Sequence, residues 1–333
     1  MEKTFNFVLL MTISAVYSIK YDGLRVKFGY SDALAGTEYF FDFPRTISEL
    51  DDGFVRTEPP LGTLEGLKLY CPPGRVVCLL FDTAGFVAGI QINIPIYAYN
   101  GPPVSVFDPE KKFVKWYAPA VVGETTLDYW SATQYFVSEG FVINIESLLN
   151  GAGPTIKNRE TLQDGGVWVA GLDGRLMRVP CTEAELNTTD FKKQNCFPNM
   201  GTHYYYNMTK NMKCENFLPW FALITDGDLV GTGFQVFGRI QKMRHGNWFE
   251  ESDSYIAKRD TEFRVPKAPP CMQEWAEKYG LLTLHIYYVN EPWNIKCKAG
   301  DSIQPVSVGD RLLINAKRFY KKISDEVVKL SSG

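Results

Sequence analysis

The chain holds three histidines, His203, His245 and His285. Histidine is the side chain whose ordinary pKa suits proton transfer near neutral pH, and it is the commonest protein metal ligand. His203 lies in Gly201-Thr202-His203-Tyr204-Tyr205-Tyr206, beside three tyrosines. His285 lies in Leu282-Thr283-Leu284-His285-Ile286-Tyr287, and His245 in the polar stretch Arg244-His245-Gly246-Asn247-Trp248. We take His203 and His285 as candidate proton-transfer residues. Tyr204, Tyr205 and Trp248 are candidates for lining an apolar pocket for a flat organic molecule. The structural alternative is a hydrogen-bonded strand histidine at His285, a surface residue at His245, and aromatics that only fill a core. No two histidines have the short spacing of a metal-binding pair, so a zinc or copper site is not expected.

Several chemistries lack their motif. No glycine-rich phosphate loop and no dinucleotide fingerprint occurs, so no nucleotide cofactor is expected. Neither a serine-hydrolase elbow nor a His-Glu-x-x-His zinc motif occurs. Asp226-Gly227-Asp228 lacks the ligand spacing of a calcium loop and reads as a turn.

These residues sit in a chain that reads as secreted. Residues 1–18 resemble a signal peptide: Lys3, then an apolar run from Phe5 to Val16 too short to span a bilayer, then Val16 and Ser18 before a cut after Ser18. No later apolar run is long enough for stable membrane insertion. The formal net charge of -3 gives no reason to expect nucleic acid as a partner. Asn187-Thr188-Thr189 and Asn207-Met208-Thr209 are N-glycosylation sequons in polar surroundings. Seven cysteines in an oxidising compartment leave one over. Local closure favours Cys71 with Cys78, Cys196 with Cys214 and Cys271 with Cys297, leaving Cys181 as the odd thiol. Cys181 with Cys196 is a competing pair.

The positioning elements read as strands, in a mainly β fold (α+β as the alternative). Val76–Phe81, Phe86–Ile96, Tyr135–Ile145, Val167–Leu172, Trp220–Thr225, Gly233–Ile240 and Leu282–Val289 are rich in β-branched and aromatic residues and end at Gly, Pro, Asn or Asp. Asp226-Gly227 has hairpin-turn chemistry, and Pro269-Pro270 reads as a helix break. From Asp310 to Leu330 apolar residues recur at helical spacing opposite a lysine-rich face, which predicts an amphipathic helix. Leu79 to Gln91 aligns without gaps on Leu223 to Gln235, and Tyr135 to Glu139 on Tyr287 to Glu291. Two readings fit: an internal duplication giving two related antiparallel β units, or short strand-turn-strand pieces alike because hairpin chemistry is restricted. The expected division is a leader at 1–18, a first β unit at 19–150, a second at 151–309 and a C-terminal helix at 310–333.

Taken with the leader and the cysteines, Tyr70-Cys71-Pro72-Pro73-Gly74-Arg75, Gly201 to Tyr206 and Asp226-Gly227-Asp228-Leu229-Val230-Gly231 resemble a group of secreted invertebrate proteins. In outline the chain is similar to the luciferases of syllid fireworms, over most of its length after the leader. The resemblance implies oxidation of a small aromatic luciferin with molecular oxygen as co-substrate and without ATP. It carries over no active-site residue. The alternative function is a non-catalytic secreted glycoprotein that binds or recognises a ligand. Eukaryotic cells expressing the full chain should release a protein beginning at Ile19 whose mass falls on enzymatic removal of N-glycans. A cytosolic product retaining Met1 and bearing no glycan would contradict the reading of the leader and both sequons.

Overall fold

The computed structural model describes residues 21–27, 37–119, 127–138, 166–171, 175–241, 248–252 and 254–298. The leader, His245 and the expected C-terminal helix lie outside the described residues. In chain order the early strands are β1 (Arg25–Lys27), β2 (Phe40–Asp42), β3 (Val55–Thr57), β4 (Lys68–Cys71), β5 (Val77–Phe81), β6 (Val87–Pro95) and β7 (Tyr99–Asn100). Then come β8 (Val114–Ala118), β9 (Leu127–Tyr135), β10 (Val167–Ala170), β11 (Leu176–Val179), β12 (Phe191–Phe197) and β13 (Gly201–Tyr206). The last are β14 (Trp220–Thr225), β15 (Asp228–Phe237), β16 (Arg239–Ile240), β17 (Glu250–Ser252) and β18 (Leu281–Tyr287). Three α-helices occur among the described residues: α1 (Glu183–Leu186), α2 (Ser254–Arg264) and α3 (Pro270–Tyr279).

The fold is mainly β, as the strand-rich sequence predicts, and all strand pairings among the described residues are antiparallel. One eight-stranded sheet runs β11-β10-β9-β6-β5-β4-β3, with β8 also beside β9. The second runs β12-β13-β14-β15-β18-β1-β2, with β17 also beside β18. The two paths repeat one pattern. β8 and β10 share one flank of β9, as β17 and β1 share one flank of β18. β7 and β16, which follow the equivalent strands β6 and β15, pair with each other. Both sheets carry a register shift at the same place, between Leu80 and Phe81 and between Leu223 and Ile224. Gly89 pairs with Leu80 and Tyr135, and Gly231 with Leu223 and Tyr287. The structural equivalent of Gly89 is therefore Gly231, two residues before the partner given by gap-free alignment. The β5–β6 turn is longer than the tight β14–β15 turn, where Asp226 and Gly227 both adopt positive φ (53° and 94°) and form the expected primed hairpin turn.

Chain position 150 does not divide the sheets. β10 and β11 join the first sheet, whereas β1 and β2, from the start of the chain, complete the second.

Alternation along the strands gives each sheet two buried faces. Leu79, Phe81, Ile90 and Ile92 of the first sheet share an inner core with Ala222, Phe234, Leu284 and Ile286 of the second. Phe136 meets Tyr288 edge-on at 5.7 Å and Phe113 meets Phe234 at 5.8 Å, pairs worth about 1 kcal/mol each beyond the area they bury. One polar lock crosses this core. The Gln134 side-chain amide donates to the Tyr288 hydroxyl at 2.6 Å, and the Thr232 hydroxyl donates to Gln134 Oε1 at 2.6 Å. All three are buried, so each satisfies a group that would otherwise be stranded in the core. The outer face of the first sheet carries Leu69, Leu80, Trp116, Tyr129 and Tyr135 around the Cys71–Cys78 disulfide. The outer face of the second is covered by α2 and α3, with Ala257, Met272 and Ala276 against Phe221, Phe237 and Leu281. Pro269-Pro270 separates α2 from α3, as expected, and starts the second: Pro269 is its N-cap and Pro270 its first residue, where a missing N–H costs nothing.

Three disulfides form, and two differ from the local pairing expected from sequence. Cys71–Cys78 is as expected. The others are Cys196–Cys297 and Cys214–Cys271, with Cα separations of 5.7 and 6.2 Å. Bridging requires facing Cβ atoms a few ångströms apart, and tertiary packing, not chain proximity, supplies them. The Asn199 N–H donates to the Ile295 carbonyl at 2.9 Å along the seam where Cys196 meets Cys297, and α3 carries Cys271 over Cys214. Cys181 is buried outside all three disulfides, and Arg178 donates to its sulfur at 3.1 Å.

Non-reducing peptide mapping should recover Cys196 linked to Cys297 and Cys214 linked to Cys271; a Cys196–Cys214 peptide would refute this topology. Closing a loop of 57 residues is worth roughly 4 kcal/mol in the loop-entropy model. The Cys214→Ala/Cys271→Ala variant should therefore unfold at clearly lower urea concentration.

Candidate functional site

A row of residues in register crosses the outer face of the second sheet: Tyr205 on β13, Phe221 on β14, Gly233 on β15, His285 on β18 and Lys27 on β1. His203 lies two residues before Tyr205 on the same face. Gly233 is required in this row, since a Cβ there would stand 1.9 Å from the Phe221 ring. Phe221 lies over this glycine and leaves room above the sheet. His203 and His285, three strands apart, meet there edge to face with ring centroids 5.8 Å apart.

From the other side of His285, Glu250 of β17 reaches in. One carboxylate oxygen of Glu250 contacts His285 Nδ1 and the other accepts from the Lys27 ammonium. The three side chains are almost completely buried. Burial alone would raise the Glu250 carboxyl, but the charges of His285 and Lys27 and their hydrogen bonds outweigh it and hold its pKa at about 2. Both imidazoles go the other way. Burial lowers His203 well below the ordinary histidine value, with His285 and Arg264 adding to the effect. Burial also lowers His285, against the pull of Glu250. The site is thus a Lys–Glu ion pair whose carboxylate also contacts His285 at Nδ1, with a second buried histidine opposite.

Tyr205 donates to Gln235 Oε1 at 2.9 Å. Arg264 of α2 donates to Met200 Sδ at 3.2 Å and lays its guanidinium 4.7 Å from the centre of the Phe197 ring. His203, His285, Glu250, Tyr205, Gln235, Arg264, Thr261 and Thr283 line a cavity of about 40 Å³, room for about two or three waters. His203 Nδ1 and His285 Nε2 are buried without a hydrogen-bond partner.

The structure thus brings together His203, His285 and Tyr205 of the residues singled out from sequence. Tyr204 points to the opposite face, in the inner core, and donates to Glu183 Oε1 at 2.5 Å. Trp248 stacks on Phe43 at 5.7 Å, away from the cavity. Lys27, Glu250, Gln235 and Arg264 were not found from sequence. Asn187 and Asn207 are both exposed near one end of β12, where the Asn207 N–H donates to the Asp190 carbonyl at 2.7 Å.

A second, larger concavity of about 600 Å³ opens beside β9, where Pro219 and Trp220 of the second sheet meet the first. Leu61, Leu64, Val114, Tyr135, Leu176 and Trp220 form its apolar wall, Thr63, Ser131 and Thr133 supply hydroxyls, and Lys112 and Arg175 supply cationic groups. Burial lowers the pKa of Lys112, against a pull upward from Glu215. Among the described residues no cluster of three or more His, Cys, Asp or Glu is placed to hold a metal, and no helix is long and apolar enough to cross a membrane.

No family model matches the chain, and no curated protein or solved structure matches it either.

The buried histidines fix a pH dependence. Each has a folded pKa below its unfolded value, so each favours the fold above about pH 6.5 and loses that contribution as pH falls below it. Glu250, also depressed, adds its loss only between about pH 4.5 and 2. Urea unfolding between pH 7 and 5 should show stability falling with pH, and His203→Gln should make the fall shallower. A flat profile over that range would contradict neutral, buried imidazoles.

Proposed function

We propose that the chain is a secreted, disulfide-locked glycoprotein that binds a small, flat organic anion in the cleft beside β9. The observation that carries this reading is the difference in size and lining between the two concavities. The cleft of about 600 Å³ falls in the range of ligand sites, which combine apolar walls with a few polar anchors. The histidine cavity, at about 40 Å³, admits only molecules of the size of a few waters. The apolar wall that includes Trp220 and Tyr135 suits an organic molecule, and Lys112 at its margin suits a negative group on it. Secretion rests on the leader-like N-terminus, the two exposed sequons and the three disulfides, which oxidising compartments favour.

A second reading makes the same cleft catalytic, with the bound molecule oxidised by molecular oxygen as the fireworm resemblance implies. Lys112 favours it: a lysine with a lowered pKa, lining an organic-sized cleft, suits removal of a proton from a bound phenol or enol. His203 and His285, enclosed beneath α2, would then serve the fold or a small molecule and not the organic substrate.

Titration of the secreted protein with 8-anilinonaphthalene-1-sulfonate, read by energy transfer from tryptophan, tests the binding reading. Saturable binding is expected, weakened about tenfold or more (~1.4 kcal/mol) by Lys112→Glu and by Leu61→Asp. Leu61 is 90 % exposed, so its substitution leaves folding intact. Absence of saturable binding, or equal affinity in both variants, would refute the cleft as an anion site. Light or oxygen consumption with an extract from a luminous animal, lost in Lys112→Met, would establish the catalytic reading; a bound but unchanged ligand would exclude it.

A further inference from the structure

The ligand cleft lies at a break in the flank of β9. β8 accompanies β9 as far as Ser131, and β10 takes over at Gln134. Among the described residues, Ala132 and Thr133 pass between them with no strand on that side. The second sheet has the same break in β18, between Thr283 beside β17 and His285 beside β1. With Gly89 equivalent to Gly231 and Tyr135 to Tyr287, the registers set Val114 in the place of Glu250, Thr133 in that of His285 and Ala170 in that of Lys27. In the second sheet the three larger side chains meet and close the gap. In the first, a smaller side chain stands at each of the three positions, and all three line the cleft. One break is filled and its counterpart is open.

The floor of the open break carries a hydrogen-bond network whose direction is fixed. Gln91, Asn93 and Ser131 are buried, on the face of the first sheet opposite Ile90 and Ile92. The Asn93 amide nitrogen donates to the Arg75 carbonyl at 2.6 Å. A carbonyl only accepts, so the Asn93 amide has one possible orientation. Its Oδ1 then receives Gln91 Nε2 at 2.8 Å and the Ser131 hydroxyl at 2.5 Å. Ser131 has thereby committed its one proton and keeps its lone pairs. Its backbone lies between β6 and β8, so its short side chain is the part that reaches the cleft it lines. Toward a ligand, Ser131 accepts and does not donate.

We propose that the molecule bound in the cleft carries a hydroxyl or N–H group in addition to its negative charge, and that Ser131, oriented by Asn93, selects for it. This rests on the reading of the cleft as a site for an organic anion. Before a ligand binds, water serves as the donor to Ser131. A ligand without a donor displaces that water and leaves a buried oxygen unpaired, whereas a ligand with one replaces the bond. The favoured class is therefore a hydroxylated organic anion, such as a phenol bearing a carboxylate or sulfonate, over the same acid without its hydroxyl.

The test is calorimetric titration of the secreted, disulfide-intact protein with naphthalene-2-sulfonate, the isomeric hydroxynaphthalene-2-sulfonates and their methyl ethers. At least one hydroxyl isomer should bind about tenfold tighter than both the parent and its own ether. In Ser131→Ala that advantage should vanish while the parent binds as before. Lys112→Glu should weaken the parent and the hydroxyl isomer alike. Ser131→Ala leaves Asn93 its bonds to Arg75 and Gln91, and circular dichroism checks that the variant is folded; if it is not, the preference of the wild type for hydroxyl over ether decides. Parent binding weakened by Lys112→Glu with no isomer exceeding its ether, or an advantage that survives in Ser131→Ala, would overturn the role of Ser131 and leave the cleft reading standing. Absence of binding by every probe would overturn both.

Discussion

The register of β18 is held by three strands at once, by β15 along its length and by β1 and β17 in line on its other flank. Side chains on a strand alternate between faces, so a slip of one residue exchanges the two sets. In the observed register Leu282, Leu284 and Ile286 enter the inner core, while Thr283, His285 and Tyr287 face α2 and α3. Every contact of the histidine cavity inherits this choice. Slipping β18 by one would turn His285 toward the other sheet, strand the Lys27–Glu250 pair and expose the rings of the inner core to a polar neighbour. The same register sets Gly231 against the Ile286 carbonyl, 2.4 Å from where a Cβ would be, so only glycine lets the two backbones close there.

A buried ion pair of this kind is a costly element. Desolvating a lysine and a glutamate takes several kcal/mol for each ion, and their attraction repays it only when the remaining polar atoms are also satisfied. Glu250 meets that condition with two partners, Lys27 and His285, supplied by strands from opposite ends of the chain. Water must stay out for the arrangement to persist. The covering layer of α2 and α3 that excludes it is fastened to the sheet by Cys214–Cys271, and the edge next to His203 by Cys196–Cys297. The two long-range disulfides thus fall on the side of the molecule where unfolding of a surface layer would admit water to buried charge.

Much of the β framework was legible. Trp220–Thr225 and the Asp226-Gly227 turn read as strand and hairpin because β-branched and aromatic runs bounded by turn residues report directly on local structure. The repeated Gly and Gln landmarks pointed to a recurring pattern of strands, out of true register by one residue at Leu80 and by two at Gly89; the turn in the first copy, longer by one residue and invisible to gap-free alignment, adds the second. Strands of three residues such as Arg25–Lys27 and Glu250–Ser252 have no period to detect, and with them went Lys27 and Glu250. The disulfide partners were misjudged for a related reason: chain proximity is a poor guide when sheet order sets the neighbours. His203 and His285 stood out by residue type alone, but their meeting across β15 depends on a glycine whose role appears only once the strands are paired. The tyrosine run separated into Tyr204 inside and Tyr205 outside, as alternation demands and as a cluster read without its strand could not show.

The place of β1 and β2 in the second sheet has a consequence for the order in which the chain can be finished during synthesis. The strands of the first sheet lie in one stretch of chain, from β3 to β11, interrupted only by β7, which pairs with β16, so they can assemble once that stretch has left the ribosome. The second sheet cannot, because its first-made strands pair with its last-made one: β1 lies against β18. Until β18 emerges, β1 has only β2 beside it, the Lys27 ammonium lacks the Glu250 and His285 neighbourhood it will join, and the edge of β15 that β18 will occupy stands open. Unpaired edges of this kind are where chains join the wrong neighbour. The strands β1 and β2 therefore act as the closing stitch of the second sheet, translated before its other strands and among the last to be seated.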